Sequence, residues 1–322
     1  MNDITVILPV YNGERYLKES ILSVLSQNIQ TFDFIICDDF SSDLSINIIQ
    51  DIKQKYPDRI KLIENDKNLG LFTTLNILIN ASPTNLIHIW TQDDVMKPEC
   101  LLNCIEFHKK YPQLGMSYHS VEYIDENDNI IKNSLIDKTS EIISLNLYLN
   151  ICIRFGCITD NISTVTLNKD LVKNSGFFKS DLLVSGDFEF WTRIAQVADI
   201  GRIDKKLIYL RSHSKQLSRN FKSIYPRIVE DMVIHNNIIN LMSRKERIAG
   251  EKFYLFKTQT SYFNDLLFLF SKKEYSEAKK TYKALSNDTN IFPLFFRWLI
   301  FTISRKLGLE NRLLKILTAR DV

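Results

Sequence analysis

Glycine is scarce in this chain of 322 residues: there are nine, and neither G-x-G-x-x-G nor G-x-x-x-x-G-K-[ST] occurs. The glycine-rich loops that cradle phosphate in dinucleotide-binding enzymes and P-loop NTPases are therefore missing, which disfavours both classes. Cysteine is also sparse. Cys37, Cys100, Cys104, Cys152 and Cys157 make an odd number with no C-x-x-C spacing. They read as free thiols in a reducing, cytoplasmic setting, not as a disulfide framework. No uninterrupted apolar run reaches the roughly 20 residues of a spanning helix. The opening MNDITVILPVYNGERY lacks a basic stretch followed by an apolar one, so no signal peptide is expected. Nor is there an excess of one charge: 41 Lys+Arg stand against 38 Asp+Glu, a net +3. That balance speaks against a nucleic-acid partner.

What is present is an alternation of two periods. Short β-rich apolar runs fall at Thr5–Val10, Phe32–Cys37, Ile60–Ile63, Leu86–Trp90 and Gly115–Tyr123. Between them, Glu14–Gln27, Ser45–Tyr56, Leu71–Asn80 and Glu99–Lys110 carry helical spacing, with Leu17, Ile21, Val24 and Leu25 on one face of the first. Strand–helix alternation predicts an α/β fold, a mostly parallel sheet with helices on both faces. Beyond the turn at Asp125–Asn129 the pattern predicts a helix over Ser140–Ile153, a strand over Asn161–Leu167, a helix over Asp187–Val197 and a strand over Ile203–Leu210. From about Phe221 strand signals vanish. The expected division is a catalytic domain over residues 1–220 and an all-helical C-terminal domain over 221–322.

Polar residues follow the strands at informative points. In an open parallel sheet, ligands bind beyond the carboxyl ends of the strands. The segments Pro9–Gly13, Asp38–Asp43, Asn65–Gly70 and Thr91–Asp94 follow four successive strands and bring acids to that edge. Ser41, Ser42 and Asp43 read as helix caps. Adjacent carboxylates such as Asp38–Asp39 and Asp93–Asp94 repel, and they need a cation or hydrogen-bond donors to persist. A divalent ion held by one or two carboxylates plus a substrate's phosphates meets that need.

The segment ITVILPVYNGERYLKESILSVLSQ resembles the opening of family 2 glycosyltransferases, inverting enzymes of the GT-A fold (Rossmann-like). DDFSSD is similar to the family's DDxSxD, Asn68-Leu69-Gly70 to its N-x-G, and TQDDVMKP in part to its D-x-D-D. SGDFEFWTRIA resembles the E/G-D-x-x-x-W-x-R element, and YLRSHSKQLS the Y-x-R-x-H-x-x-x-x-S ending. These motifs stand in family order over residues 1 to about 220. The resemblance implies that Pro9, Tyr11, Glu14 and Asp39 line a nucleotide pocket, with Asp38 supporting it and Asn68 and Gln92 beside it. Asp93 would hold Mn²⁺ or Mg²⁺ against the diphosphate of a UDP-, GDP- or dTDP-sugar. Asp94 would be second to it or accept a sugar hydroxyl. Asp187 would be the general base for a glycan or lipid-diphosphate-linked acceptor, and inversion needs no enzyme nucleophile.

Other readings stay open. Thr91 replaces the first Asp of D-x-D-D, so a degenerate, purely binding protein is the alternative. His213 is either a metal ligand or a loop histidine. Arg211 and Lys215 either steady phosphate or are solvated charges. Trp191 is either a sugar platform or core. Cys100, Cys104 and His108 share one helix face, but with no fourth ligand in view they read as core and not as zinc. Residues 291–322 carry six Lys/Arg and two acids around the apolar IFPLFFRWLIFTI. That tail either lies in a membrane interface, as a lipid-linked acceptor in cell-surface polysaccharide (O-antigen or capsule) synthesis would favour, or packs on its own domain or a second copy in a homo-oligomer.

Overall fold

The computed structural model describes residues 2–133, 138–213, 216 and 220–319. They fall into two compact units. One comprises residues 1–145, 159–182 and 189–214; the other comprises 146–158, 183–188 and 215–322.

The first unit is built on one mixed sheet. β1 (Ile4–Val10), β2 (Phe32–Asp38), β3 (Lys61–Glu64) and β4 (Leu86–Ile89) pair in parallel in the order β3-β2-β1-β4. Crossover helices α1 (Leu17–Leu25), α2 (Ser45–Lys55) and α3 (Leu71–Ala81) connect them. β1 and β2 are buried along almost their whole length. This is the continuous apolar pattern of strands covered on both faces. The sheet continues through β5 (Val95–Met96), α4 (Cys100–Lys110), β6 (Leu114–Ile124), β7 (Ile130–Asn133) and β8 (Ile142–Ile143). After α5 (Leu145–Phe155) come β9 (Val165–Asn168), α6 (Lys169–Val172), α7 (Gly186–Ile194) and β10 (Asp199–Arg211). β9 runs antiparallel between β4 and β6, and β10 lies parallel to β6.

The long periodic segments stand where the sequence puts them. The irregular middle differs. Ser140–Ile153 begins with β8 before the helix starts at Leu145, and Asn161 caps a 3₁₀ turn at Ile162–Thr164 ahead of β9. β5, β7 and β8 are too short to carry a period of their own. Gly201 on β10 marks a close approach: an added Cβ would stand 2.4 Å from Phe107 and 2.6 Å from Leu114.

The second unit is helical: α5 for most of its length, then α8 (Ile224–Leu241), α9 (Arg244–Phe253), a π-helical turn at Tyr254–Thr258, α10 (Gln259–Ser271), α11 (Tyr275–Asp288), α12 (Ile291–Lys306) and α13 (Glu310–Ala319). Ser243 caps α9: its Oγ accepts from Glu246 N and donates to Glu246 Oε2. Asn290 caps α12, so Pro293 falls in the first turn, where its missing N–H costs nothing. Ile228, Ile238, Leu266, Leu269, Leu285 and Leu294 form the interior. α12 leaves Phe292, Phe296, Ile300, Ile303 and Leu307 just beyond it exposed. Among the described residues, no helix is long and apolar enough to cross a membrane.

Candidate active site

The loops after β1, β2 and β4 interlock at the carboxyl edge of the sheet. The Gln92 side chain bonds both backbone groups of Tyr11: Tyr11 N–H donates to Oε1 at 2.9 Å, and Nε2 donates to Tyr11 O at 3.1 Å. The fit requires Gly13, because a Cβ there would meet Gln92 Cδ at 2.5 Å. Glu14 is engaged at the start of α2. Its Oε2 accepts from Leu44 N, and its own N–H donates to Asp43. Tyr11 is half exposed.

Asp38 and Asp39 are both buried, and they meet that cost differently. Asp39 accepts from Asn65 Nδ2 at 2.8 Å and from the backbone N–H groups of Leu69 and Gly70 at 2.9 Å each. It thus closes the loop that opens α3, where Gly70 takes φ +83° and Asn68 Oδ1 adds a bond to Gly70 N. Asp38 Oδ2 accepts from Ser41 N at 2.9 Å, while its buried Oδ1 has no hydrogen-bond partner. Burial, with these two carboxylates beside it, pushes the Cys37 thiol up to about 12.

Thr91–Asp94 divides its acids in the same way. Asp94 is buried, and burial pushes its carboxyl up to about 6. Oδ2 accepts from the hydroxyls of Thr91 and Ser163, and Oδ1 accepts from Arg211 N at 3.0 Å. Thr91 therefore has a task in this chain: it supplies a donor to a buried neighbour. Asp94 is an internal anchor, not an acceptor for a sugar. Asp93 faces the other way, with Oδ2 3.3 Å from His213 Nε2. Burial raises its carboxyl above the ordinary range, against the pull of His213 and Arg211.

Arg211 differs from the expectation. It is 1% exposed and is committed inside the unit: Nη2 to Glu19 at 2.8 Å, Nη1 to Asp128 and to Asp125 O, and Nε to Asp93 O at 2.9 Å. Its guanidinium lies 4.4 Å over the Tyr16 ring, which itself stands 5.2 Å from the His213 ring. Arg211 thus braces the Asp93 loop and is not a free phosphate ligand. Lys215 lies outside the described residues. Trp191 is core and not a platform: fully buried, it stacks on Phe190 at 5.3 Å and meets Phe178 edge-on at 5.8 Å. Arg193 of the same motif bonds Glu189 and the carbonyls of Gly176 and Phe177, tying that turn to α7.

Asp187 belongs to the second unit. It is half-buried in the first turn of α7, and Phe188 N donates to its Oδ1 at 2.8 Å. Burial, with Asp231 and Glu230 nearby, pushes its carboxyl up to about 6. That is a range suited to a general base. The preceding loop is clamped by Glu230 on α8, which accepts from the N–H groups of Leu183, Val184 and Ser185 at 2.7, 3.0 and 2.7 Å. Ser185 Oγ donates to Asp231 at 2.6 Å. The sequence reading missed Glu230 and Asp231. Their only local signal is an acidic pair among the apolar residues of a helix.

The loops at the carboxyl edge of the mixed sheet thus carry a cluster of buried and half-buried acids. Residues 5–169 match the profile of glycosyl transferase family 2, and the chain belongs to that family. It is 27% identical over 220 residues to an uncharacterized glycosyltransferase of Haemophilus influenzae, covering 67% of each chain. It is also 27% identical over 330 residues to one of Rickettsia conorii, covering 99% of this chain and 52% of that one. The chain thus spans about half the length of the Rickettsia relative. The fold is GT-A. Staphylococcus aureus TarS 1–349 in complex with UDP-GlcNAc aligns with TM-score 0.61 at 19% identity, over 77% of this chain and 70% of that one. A mannosyltransferase from Pyrobaculum calidifontis in complex with GDP-Man and Mn²⁺ aligns with TM-score 0.58 at 14% identity, over 98% and 85%.

Proposed function

We propose that this glycosyltransferase inverts configuration as it moves a sugar from a UDP-, GDP- or dTDP-sugar to a hydroxyl of a glycan or lipid-diphosphate-linked acceptor, in cell-surface polysaccharide assembly. The observation that carries the reading is the Asp93–His213 pair, a carboxylate and an imidazole 3.3 Å apart beside buried Asp94, whose own needs are met within the chain. This donor set fits Mn²⁺ or Mg²⁺, with the donor's diphosphate completing the shell. Such an ion, when bound, stabilises the charge that grows on the leaving nucleoside diphosphate.

The chain's own residues do the rest. Asp38 Oδ1 takes a hydrogen bond from the base, Tyr11 flanks it, and Gln92 and Asp39 fix the loops around it. Asp187 accepts the proton of the acceptor hydroxyl as that oxygen bonds to the anomeric carbon. The carbon–oxygen bond to the diphosphate breaks, and its electrons leave with the nucleotide. A polysaccharide acceptor on a lipid carrier suits a peripheral position at the cytoplasmic face of a membrane. Support comes from the exposed apolar row of α12, which ends in Arg305 and Lys306. Flotation with anionic liposomes tests it. Phe296→Ser with Ile300→Ser should abolish binding, and equal flotation of variant and parent refutes the placement. Sedimentation of the same pair tests a second copy as the cover.

The deciding experiment is a thermal-shift panel of UDP, GDP, CDP, dTDP and CMP, each with Mn²⁺ and with EDTA. A well-occupied site raises stability by a few kcal/mol. One diphosphate should shift the melting temperature, and the shift should vanish in EDTA and in Asp93→Asn. No shift with any nucleotide would overturn the donor site and favour the binding-only reading.

A further inference from the structure

The helix face that carries Cys100, Cys104 and His108 meets two histidines from the sheet beneath it. His108 is not part of the resulting group, because its Nε2 pairs with Ser117 Oγ at 3.0 Å. His88 on β4 and His119 on β6 take its place. The donor atoms of His88, Cys100 and His119 all lie within 4.8 Å of one another, and all three residues are buried. The two imidazoles stack with centroids 6.0 Å apart and planes 12° from parallel. Cys104, one turn further along α4 and also buried, stands outside that set of three and would supply the fourth donor.

Each imidazole is oriented from behind. His119 Nδ1 donates to Ser120 O at 3.0 Å, which leaves Nε2 as the lone-pair nitrogen, and that atom stands 3.8 Å from Cys100 Sγ. His88 Nδ1 pairs with Thr166 Oγ1 at 2.9 Å. Its Nε2 has no hydrogen-bond partner among the described residues, although His88 is 0% exposed. Imidazoles whose far nitrogens are hydrogen-bonded are the usual arrangement at metal sites.

We propose that His88, Cys100, Cys104 and His119 form a structural Zn²⁺ site that ties α4 to strands β4 and β6. Two neutral nitrogens and two sulfurs are the donor set of a closed tetrahedral zinc site. Zn–S bonds near 2.3 Å and Zn–N bonds near 2.0–2.1 Å put donors roughly 3.3–3.8 Å apart; Cys100 Sγ and His119 Nε2 are already at that spacing. Charge balance points the same way. A dication with two thiolates is neutral, so a fully buried site carries no net charge. Coordination releases one proton from each thiol and involves no change of oxidation state. The ligands are soft and enclosed, unlike the Asp93–His213 pair, so this site is separate from the proposed donor site.

The test is metal content. Full-length protein purified from zinc-supplemented cells without chelator should carry about one zinc per chain by mass spectrometry. Cys100→Ser, Cys104→Ser, His88→Gln and His119→Gln should each lose it, whereas His108→Gln and Asp93→Asn should keep it. Cobalt-substituted parent protein should show the thiolate-to-cobalt charge-transfer band and the intense visible absorption of tetrahedral Co²⁺. Because the cysteine variants can fail to fold, the cobalt spectrum decides by itself. Its absence, or zinc that persists in the four ligand variants or departs with Asp93→Asn, overturns the site.

Discussion

Glu230→Gln tests how the loop before Asp187 is held. Glu230 accepts three backbone N–H groups, from Leu183 into Oε1 and from Val184 and Ser185 into Oε2. An anionic acceptor makes each bond worth about 1.5–3 kcal/mol, against about 1 kcal/mol for a neutral one. Glutamine with its carbonyl in the Oε2 position keeps two bonds, now neutral. It turns an NH₂ toward Leu183 N, stranding that donor at a cost of about 1–3 kcal/mol. The loss comes to about 3 kcal/mol. For a unit of this size a melting temperature falls about 3–4 °C per kcal/mol, so a drop of about 10 °C is expected by calorimetry. The loop also presents Asp187, so kcat should fall while the donor KM stays constant. A melting temperature within about 1 °C of the parent, together with an unchanged kcat, would refute the clamp.

Three further outcomes follow from the same geometry. Because the Asp187 carboxyl is raised to about 6, a base there is active only when ionised, so kcat/KM should rise with pH and level off above about 6. Asp187→Asn should abolish transfer while keeping nucleotide binding. A raised carboxyl favours the folded state at low pH and loses that stability as pH climbs from about 4 to 6, so the variant should also melt higher at pH 7.5, by about 1–2 kcal/mol of stability. Thr91→Asp would restore the family's first Asp but remove a donor from buried Asp94 and set a like charge beside it. A loss of about 2–4 kcal/mol by thermal unfolding is expected, and an unperturbed melting curve would count against the anchoring role of Asp94. Gly13→Ala should displace Gln92 from Tyr11 and weaken nucleoside-diphosphate binding by roughly fivefold, worth about 1 kcal/mol, by calorimetric titration.

Much of the fold was legible because the parallel strands and their helices are long and periodic. Val6, Leu8, Phe34 and Ile36 alternate with inward partners on the other face, and Leu17, Ile21 and Val24 recur at helical spacing. β5, β7 and β8 were not legible, because two to four residues hold no period and their pairing is set by distant strands. At the site, motif residues fell on the expected loops, but their partners came from far along the chain. Ser163 reaches Asp94 across 69 positions and Arg211 reaches Glu19 across 192. Type and spacing therefore could not separate a working carboxylate from an anchored one, or a phosphate-binding arginine from a brace. The His88–His119 pair was invisible for the same reason: only strand pairing through β9 brings β4 and β6 under α4.

The distribution of donors around the buried acids is the strongest physical argument for what the site accepts. A carboxylate taken out of water must be repaid by donors or a cation. Asp39 receives three donors, Asn65 Nδ2 and the N–H groups of Leu69 and Gly70 just ahead of α3. Asp94 receives three more. Both are satisfied within the chain and have little left to offer a ligand. Among the described residues, Asp38 receives one and retains a buried oxygen without a partner, and the Asp93 carboxylate lies beside His213 Nε2. Among the described acids of these loops, the unmet acceptor capacity lies on Asp38 after β2 and Asp93 after β4, on strands separated in the sheet by β1 alone. On the proposed reading, the ligand brings an N–H to the first and a cation to the second. A nucleoside diphosphate carries the donor on its base and recruits the cation at its diphosphate.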